Sequence, residues 1–177
     1  MTPFRIIVPL MLSACVFVMT ARSENVEEYP VKAGLSLNFA RFTKWPNGQS
    51  DADASNIKMC VIGNNIVQEA FTLVDNKPVG DKTLTVVNSS RLHDLERCQL
   101  LFVTGLEKNK TIQLLAEVHK LPILTIGDEI DFLKSGGLVC LQLIDGKMEI
   151  KVNHSASVQK GLDISSRLLQ HATIENQ

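Results

Sequence analysis

An unbroken apolar pattern marks the stretch Cys98–Gly105 (CQLLFVTG), where Leu100 to Thr104 are all apolar or semi-apolar. A strand with one wet face alternates polar and apolar residues, so a continuous run predicts burial on both faces. That requires helices above and below a largely parallel sheet. Met59 to Gly63 (MCVIG) and Ile123 to Gly127 (ILTIG) repeat the pattern, each short, apolar and closed by glycine. They read as strands that turn directly into helices or functional loops.

The rest of the chain supplies the other layers. Acids at Glu24 to Glu28 complement the dipole at the start of a helix, Pro30 is tolerated in its first turn, and its apolar face is predicted to comprise Val31, Leu35, Asn38, Phe39 and Phe42. Trp45-Pro46-Asn47-Gly48 ends it, because a residue before proline is pushed out of the helical region. After a polar loop comes a strand over Ile57 to Ile62, then Asn64 or Asn65 placed to cap a helix. Val67, Ala70, Phe71 and Val74 form that helix's apolar stripe. A strand over Leu84 to Asn88 and a short polar connection lead into the Cys98 strand. A helix from Glu107 to Lys120 should bury Ile112, Leu115, Ala116 and Val118. Strands Val139 to Ile144 and Met148 to Val152 flank Asp145-Gly146-Lys147, a strong hairpin signal. A last helix, His154 to His171, should bury Val158, Leu162, Ser165, Leu169 and Ala172. The fold class expected is α/β: a three-layer sandwich on a mixed, mostly parallel sheet, with an antiparallel C-terminal hairpin and helices on both faces.

Composition narrows this picture. With 177 residues and 45% apolar content, one domain can bury a sizeable core. The formal net charge of −1 offers nothing for nucleic acid or an acidic membrane surface. Arg5, the apolar run Ile6 to Val18 and the small residues before Glu24 describe a secretory signal peptide, cleaved after Ala21 or Ser23. The run falls short of the about 20 residues that a membrane span needs. Residues 1–23 are therefore assigned to the signal peptide and 24–177 to the domain. Leu12-Ser13-Ala14-Cys15 offers a rival reading, a lipoprotein signal acylated at Cys15. Both readings take the mature protein out of the cytoplasm.

Candidate chemistry is sparse. Ligands of open α/β sheets bind beyond the carboxyl ends of the strands, which here offer Gly63, Asn64, Gly105, Gly127 and Asp128. They form a candidate small-ligand crevice, or else the glycines simply suit tight turns. The acids Asp128, Glu129 and Asp131 lack calcium-loop spacing, and His93, His119, His154 and His171 lack metal spacing. Ser165-Ser166 lacks a nucleophile-elbow pattern. No catalytic residue, metal or cofactor is expected. The triplets at Asn88, Asn109 and Asn153 accept glycans only on a eukaryotic route. Cys60 and Cys98 should lie on neighbouring strands in a 2-1-3 order, either bridged or as two packed thiols. Cys140 reads as a packed thiol. Phe42, Trp45 and Pro46 form an aromatic-proline corner, either core packing or a partner contact.

Several stretches together resemble the YfiR-like family of bacterial periplasmic proteins. Tyr29-Pro30-Val31-Lys32-Ala33 and Asn38-Phe39-Ala40-Arg41-Phe42-Thr43-Lys44-Trp45-Pro46 resemble its opening motif. Cys60-Val61-Ile62-Gly63, Cys98 to Val103, Ile123 to Asp128 and Phe132 to Gly137 follow in the family's order. Val152-Asn153, Ala156, Gly161-Leu162 and Ile164 to Leu169 resemble its closing motif. The resemblance implies a periplasmic, non-catalytic α/β domain that represses an inner-membrane diguanylate cyclase and so limits cyclic-di-GMP and biofilm formation. It implies a bridge between Cys60 and Cys98, and an outer-membrane lipoprotein as a further partner. A second cysteine pair found in some members has no counterpart near Cys140. The chain is expected to act as a homodimer. A ligand-binding module feeding a sensor histidine kinase is the alternative, with a hydrolase using Ser165 and Asp128 a third.

Overall fold

The computed structural model describes residues 25–46, 55–89 and 95–175. The signal peptide, its cleavage sites, Cys15 and His93 lie outside those residues. The chain opens with helix α1 (Asn25–Phe42) and strand β1 (Thr43–Lys44), then β2 (Asn56–Ile62), α2 (Asn65–Thr72), β3 (Pro78–Val79) and β4 (Lys82–Asn88). A 3-10 turn (Leu95–Arg97) precedes β5 (Leu100–Val103), followed by α3 (Lys108–Glu117), β6 (Leu124–Gly127), β7 (Val139–Ile144) and β8 (Lys147–Val152). The C-terminal part comprises α4 (His154–Gln159), β9 (Asp163–Ile164), α5 (Ser166–Leu169) and β10 (Thr173–Ile174).

Among the described residues the main sheet has eight strands in the order β10-β8-β7-β6-β5-β2-β4-β3. Its centre, β4-β2-β5-β6-β7, is parallel, and β8 returns antiparallel to β7. The 2-1-3 order expected for the strands around Cys60 and Cys98 is thus present. β5 lies fully buried at the middle. Leu100 and Phe102 point into one core with Met59, Val61, Leu124, Ile126 and Leu141, beneath α1 and α2. Leu101 and Val103 point into the other with Cys60, Ile62, Cys98 and Cys140, against Leu114, Leu115 and Val118 of α3. Two-sided burial is the physical reason for the unbroken apolar runs. The hairpin turn places Asp145 (φ 50°) and Gly146 (φ 74°) in the left-handed region, as a two-residue turn of the favoured twist requires.

The apolar stripe expected for α2, Val67, Ala70, Phe71 and Val74, is buried, whereas the faces of α1 and α3 depart from their expected positions. α1 buries Lys32, Ala33, Ser36, Leu37, Phe39 and Ala40, whereas Val31 is 50% exposed and Phe42 39% exposed. Two polar residues thus join the buried face; of the expected apolar stripe Phe39 is buried, Leu35 and Asn38 are half-buried, and Val31 and Phe42 turn outward. The helix also starts early enough to place Pro30 beyond its first turn. α3 buries Thr111, Leu114 and Leu115, leaving Ile112 42% exposed and Ala116 exposed. A threonine that returns its hydroxyl to the Glu107 carbonyl can sit in the core, which a purely apolar template misses.

The single C-terminal helix is replaced by two short ones around β9. Gly161 takes φ 74°, and its N–H donates to the Val158 carbonyl while the Leu162 N–H donates to that of Ser157. This is a Schellman stop, with Leu162 buried behind it. Val158, expected inside, is 56% exposed, while Ser157, Ile164 and Leu168 are buried in this segment. Ser165 is half-buried at the cap of α5, and Leu169 and Ala172 are half-buried against the core.

Candidate functional site

The carboxyl ends of β2, β5 and β6 lie side by side, so Gly63-Asn64, Gly105 and Gly127-Asp128 share one edge of the sheet. Each has local work there. The Asn64 carboxamide oxygen accepts from the Val67 N–H at 3.1 Å and caps α2. A Cβ on Gly63 would lie 2.8 Å from Val67 Cγ1 and 3.1 Å from Thr104 Cγ2, so glycine permits close helix–strand packing. Gly127 and Gly137 sandwich the buried Phe132 ring: a Cβ on either would fall 2.4 Å or 2.3 Å from its carbons.

Asp128 is already engaged. Its carboxylate accepts from the Lys32 ammonium at 2.6 Å, and Glu28, one turn earlier on α1, pairs with the same ammonium. Lys32 is only 2% exposed, and its Nζ also stands 5.0 Å from the centre of the Tyr29 ring. Burial pulls the Lys32 pKa down, but the hydrogen bonds and charges of Asp128 and Glu28 outweigh it and hold the ammonium above its ordinary range. Sequence reasoning missed this cluster. Its available signal was the Glu28–Lys32 spacing of one helical turn.

Beside this edge a small cleft of about 140 Å³ opens between the start of α3 and residues 129–135. Leu106, Lys108, Thr111, Ile130, Asp131 and Phe132 are among the residues that line it. Pockets that enclose drug-sized ligands span roughly 300–1,000 Å³, so this one admits only a small fragment. Lys108 pairs with Asp131 at 3.0 Å. Among the described residues no group of His, Cys, Asp and Glu is arranged to hold a metal ion.

Phe42, Trp45 and Pro46 lie at the opposite edge. α1, 18 residues and about 27 Å long, meets Asp128 through Lys32 in its first half and ends at Phe42, near the start of β5. There the Trp45 indole N–H donates to the Gln99 carbonyl at 3.1 Å, and the Ser165 N–H donates to that of Phe42 at 2.7 Å. Pro46 packs near Gly161. Backbone pairing of Thr43-Lys44 with Ile164-Asp163 fixes the corner, leaving Phe42 and Pro46 exposed and Trp45 partly so. The two candidate groups are therefore separate surfaces joined by one helix.

The sulfurs of Cys60 and Cys98 form a disulfide, with Cα atoms 5.9 Å apart and a sequence separation of 38. It ties β2 to the residue that leads into β5. Cys140 remains a buried free thiol that donates to the Glu129 carbonyl at 3.3 Å. Burial, reinforced by the charge of Asp128, pushes its pKa up to about 12. Its environment is that of a packed, unreactive thiol.

No curated protein matches the sequence. Among solved structures, a conserved domain protein from Vibrio cholerae O1 biovar El Tor shares the fold. The TM-score is 0.54 and the identity 12%, and the similarity covers 82% of this chain and 59% of that one. No described helix is long and apolar enough to cross a membrane. The model of the YfiR/HmsC-like family matches residues 29–173, which include Tyr29, Lys32, both bridged cysteines and Asp128. The chain belongs to the YfiR/HmsC-like family, a family of periplasmic regulatory proteins that act with membrane signalling proteins.

Proposed function

We propose that this protein is a non-catalytic periplasmic regulator that binds and represses an inner-membrane diguanylate cyclase, limiting cyclic-di-GMP and biofilm formation. Residues 1–23 direct export and are removed, and 24–177 form the regulatory domain. The observation that carries this reading is the exposed aromatic-proline corner at the end of α1. Phe42 is 39% exposed beside the exposed Pro46 and half-exposed Trp45, and Val31 lies exposed further back on the helix. Backbone pairing of β1 with β9 holds that corner in place, which suits a pre-formed docking surface for the cyclase's periplasmic portion.

A ligand-binding module feeding a sensor kinase is the weaker reading. The edge that would hold a ligand is occupied by the Lys32–Asp128 pair, and the cleft beside it is small. An outer-membrane lipoprotein remains a proposed second partner.

Deletion of the gene should raise cyclic-di-GMP, and wild-type complementation should lower it. Phe42→Glu, at an exposed position, should fail to complement while the purified variant melts normally. Unchanged cyclic-di-GMP on deletion, with no membrane client co-purifying, defeats the proposal. Stabilisation by a small ligand that survives Trp45 replacement but not Asn64→Ala favours the kinase-linked alternative.

A further inference from the structure

The C-terminal hairpin leaves part of a strand edge unused. In a two-residue hairpin the closing pair, here Ile144 and Lys147, exchanges backbone bonds. Lys147, Glu149 and Lys151 therefore bond to β7, while Met148, Ile150 and Val152 turn their N–H and C=O groups outward. β10 meets the far end of this edge: Thr173 pairs with Lys151, and the Glu175 N–H donates to the Val152 carbonyl at 2.9 Å. From Gly146 to Ile150 no described strand lies alongside.

The side chains of this segment carry a self-complementary pattern. Lys147 and Glu149 are exposed, project from the same face and have no ionic partner among the described residues. Met148 and Ile150 project from the other face, half-buried against the core under α1. We propose that this edge joins a second copy of the chain, the two β8 strands pairing antiparallel with Met148 opposite Met148. That register places Lys147 of each copy beside Glu149 of the other, twice by symmetry. It also makes the Met148 pair a bonded one, which its outward backbone groups require. Centring on Glu149 instead would set Glu149 against Glu149 and Lys147 against Lys151, with inward-facing backbone groups at the middle. The segment's length fits as well: Gly146 to Ile150 meets Ile150 to Gly146 and stops where β10 begins. A lysine on an edge strand ordinarily discourages pairing. Here a glutamate two residues away cancels that effect in this register.

Sedimentation equilibrium of the chain from residue 24 tests the proposal without any membrane client, so its failure leaves the regulatory reading untouched. The wild type should dimerise. Lys147→Glu and Glu149→Lys should each weaken the dimer about tenfold, since two attractive pairs become repulsive. The double variant Lys147→Glu/Glu149→Lys should recover wild-type association. Met148→Pro, which removes the central donor, should abolish it. At concentrations low enough to leave all variants monomeric, circular dichroism should show unchanged melting for the charge variants, whose side chains are exposed and unpaired among the described residues. A monomeric wild type, a dimer that both single charge variants retain, or a double variant as weak as the singles overturns the proposal.

Discussion

The Lys32 ammonium stands 2.6 Å from the Asp128 carboxylate, tying the first helix to the end of a central strand 96 residues later. Lys32 sits on the buried face of α1, and Asp128 sits on the edge where an open sheet of this kind would receive a ligand. The pair holds the first half of α1, and the Trp45–Gln99 bond holds the segment just beyond its last residue. A surface presented on the second half of that helix is thereby held from both sides.

A double-mutant cycle measures that tie. Breaking a buried ion pair from one side leaves the other charge unpaired, so Lys32→Met should cost about 3–5 kcal/mol. Asp128→Asn should cost less, because Glu28 still faces the ammonium. The double variant should lose less than the sum of the singles. Urea denaturation of the four proteins checks this; strict additivity would show that the pair contributes no coupling.

Alkaline stability should report a different lysine. The Lys160 ammonium donates to the Val118 and Leu121 carbonyls at 2.9 and 3.3 Å, with no carboxylate paired to it among the described residues. Burial lowers its pKa to about 8 from an ordinary 10.5. Between those values the unfolded chain binds a proton that the folded chain has released, so this group makes stability rise with pH across the window. Below about pH 8 both states are protonated and the gain is gone. Lys32, held above its ordinary range, adds no opposing slope until the pH passes 10.5, whereas Cys140, raised from 9.0 to about 12, adds one above pH 9 in wild type and variant alike. From pH 7.5 to 10.5 the wild type should therefore gain stability relative to Lys160→Met. Parallel curves would remove Lys160 as the source.

The cysteines should separate cleanly by reagent. Loop closure over 38 residues gives the Cys60–Cys98 bridge ~3–4 kcal/mol by the chain-entropy estimate. Dithiothreitol, or Cys98→Ser, should lower the urea midpoint accordingly. In the chain from residue 24, a thiol reagent at pH 8 should modify nothing in the native state. One thiol, Cys140, should react in denaturant, and all three cysteines after reduction. Native labelling of Cys140 would contradict its burial and its raised pKa.

The sequence made the layers readable because two-sided burial leaves a physical trace in every central strand: Met59 to Ile62 and Leu100 to Val103 cannot alternate. The hairpin was equally legible, since Asp145-Gly146 suits positive φ. Helix rotation was not. In α1 the apolar residues occupy two adjoining stripes, and periodicity alone cannot reveal that Lys32 and Ser36 belong inside, because their partners are Asp128 far along the chain and the helix's own Lys32 carbonyl. Gly161 did signal a helix stop, but a strong apolar period over the last segment masked it. Of the candidate site residues, Cys60 and Cys98 form the bridge that the family resemblance implied. At the strand ends, the local roles of Gly63 and Asn64 follow from packing and capping.

Gly127 and Gly137 show how tightly the Asp128 edge is built. Neither has a positive φ; what they share is the Phe132 ring, which fills the place where their side chains would go. Gly127→Ala should therefore cost about 1–3 kcal/mol through overpacking rather than backbone strain. The clash has a specific partner, so it should be relieved from that side. Phe132→Leu alone should destabilise by leaving space, whereas Gly127→Ala combined with Phe132→Leu should cost less than the two added together. Thermal melts of the three variants decide the matter. Additive losses would mean that Phe132 does not fill the space beside Gly127, and that Asp128 owes its position to something other than this packing.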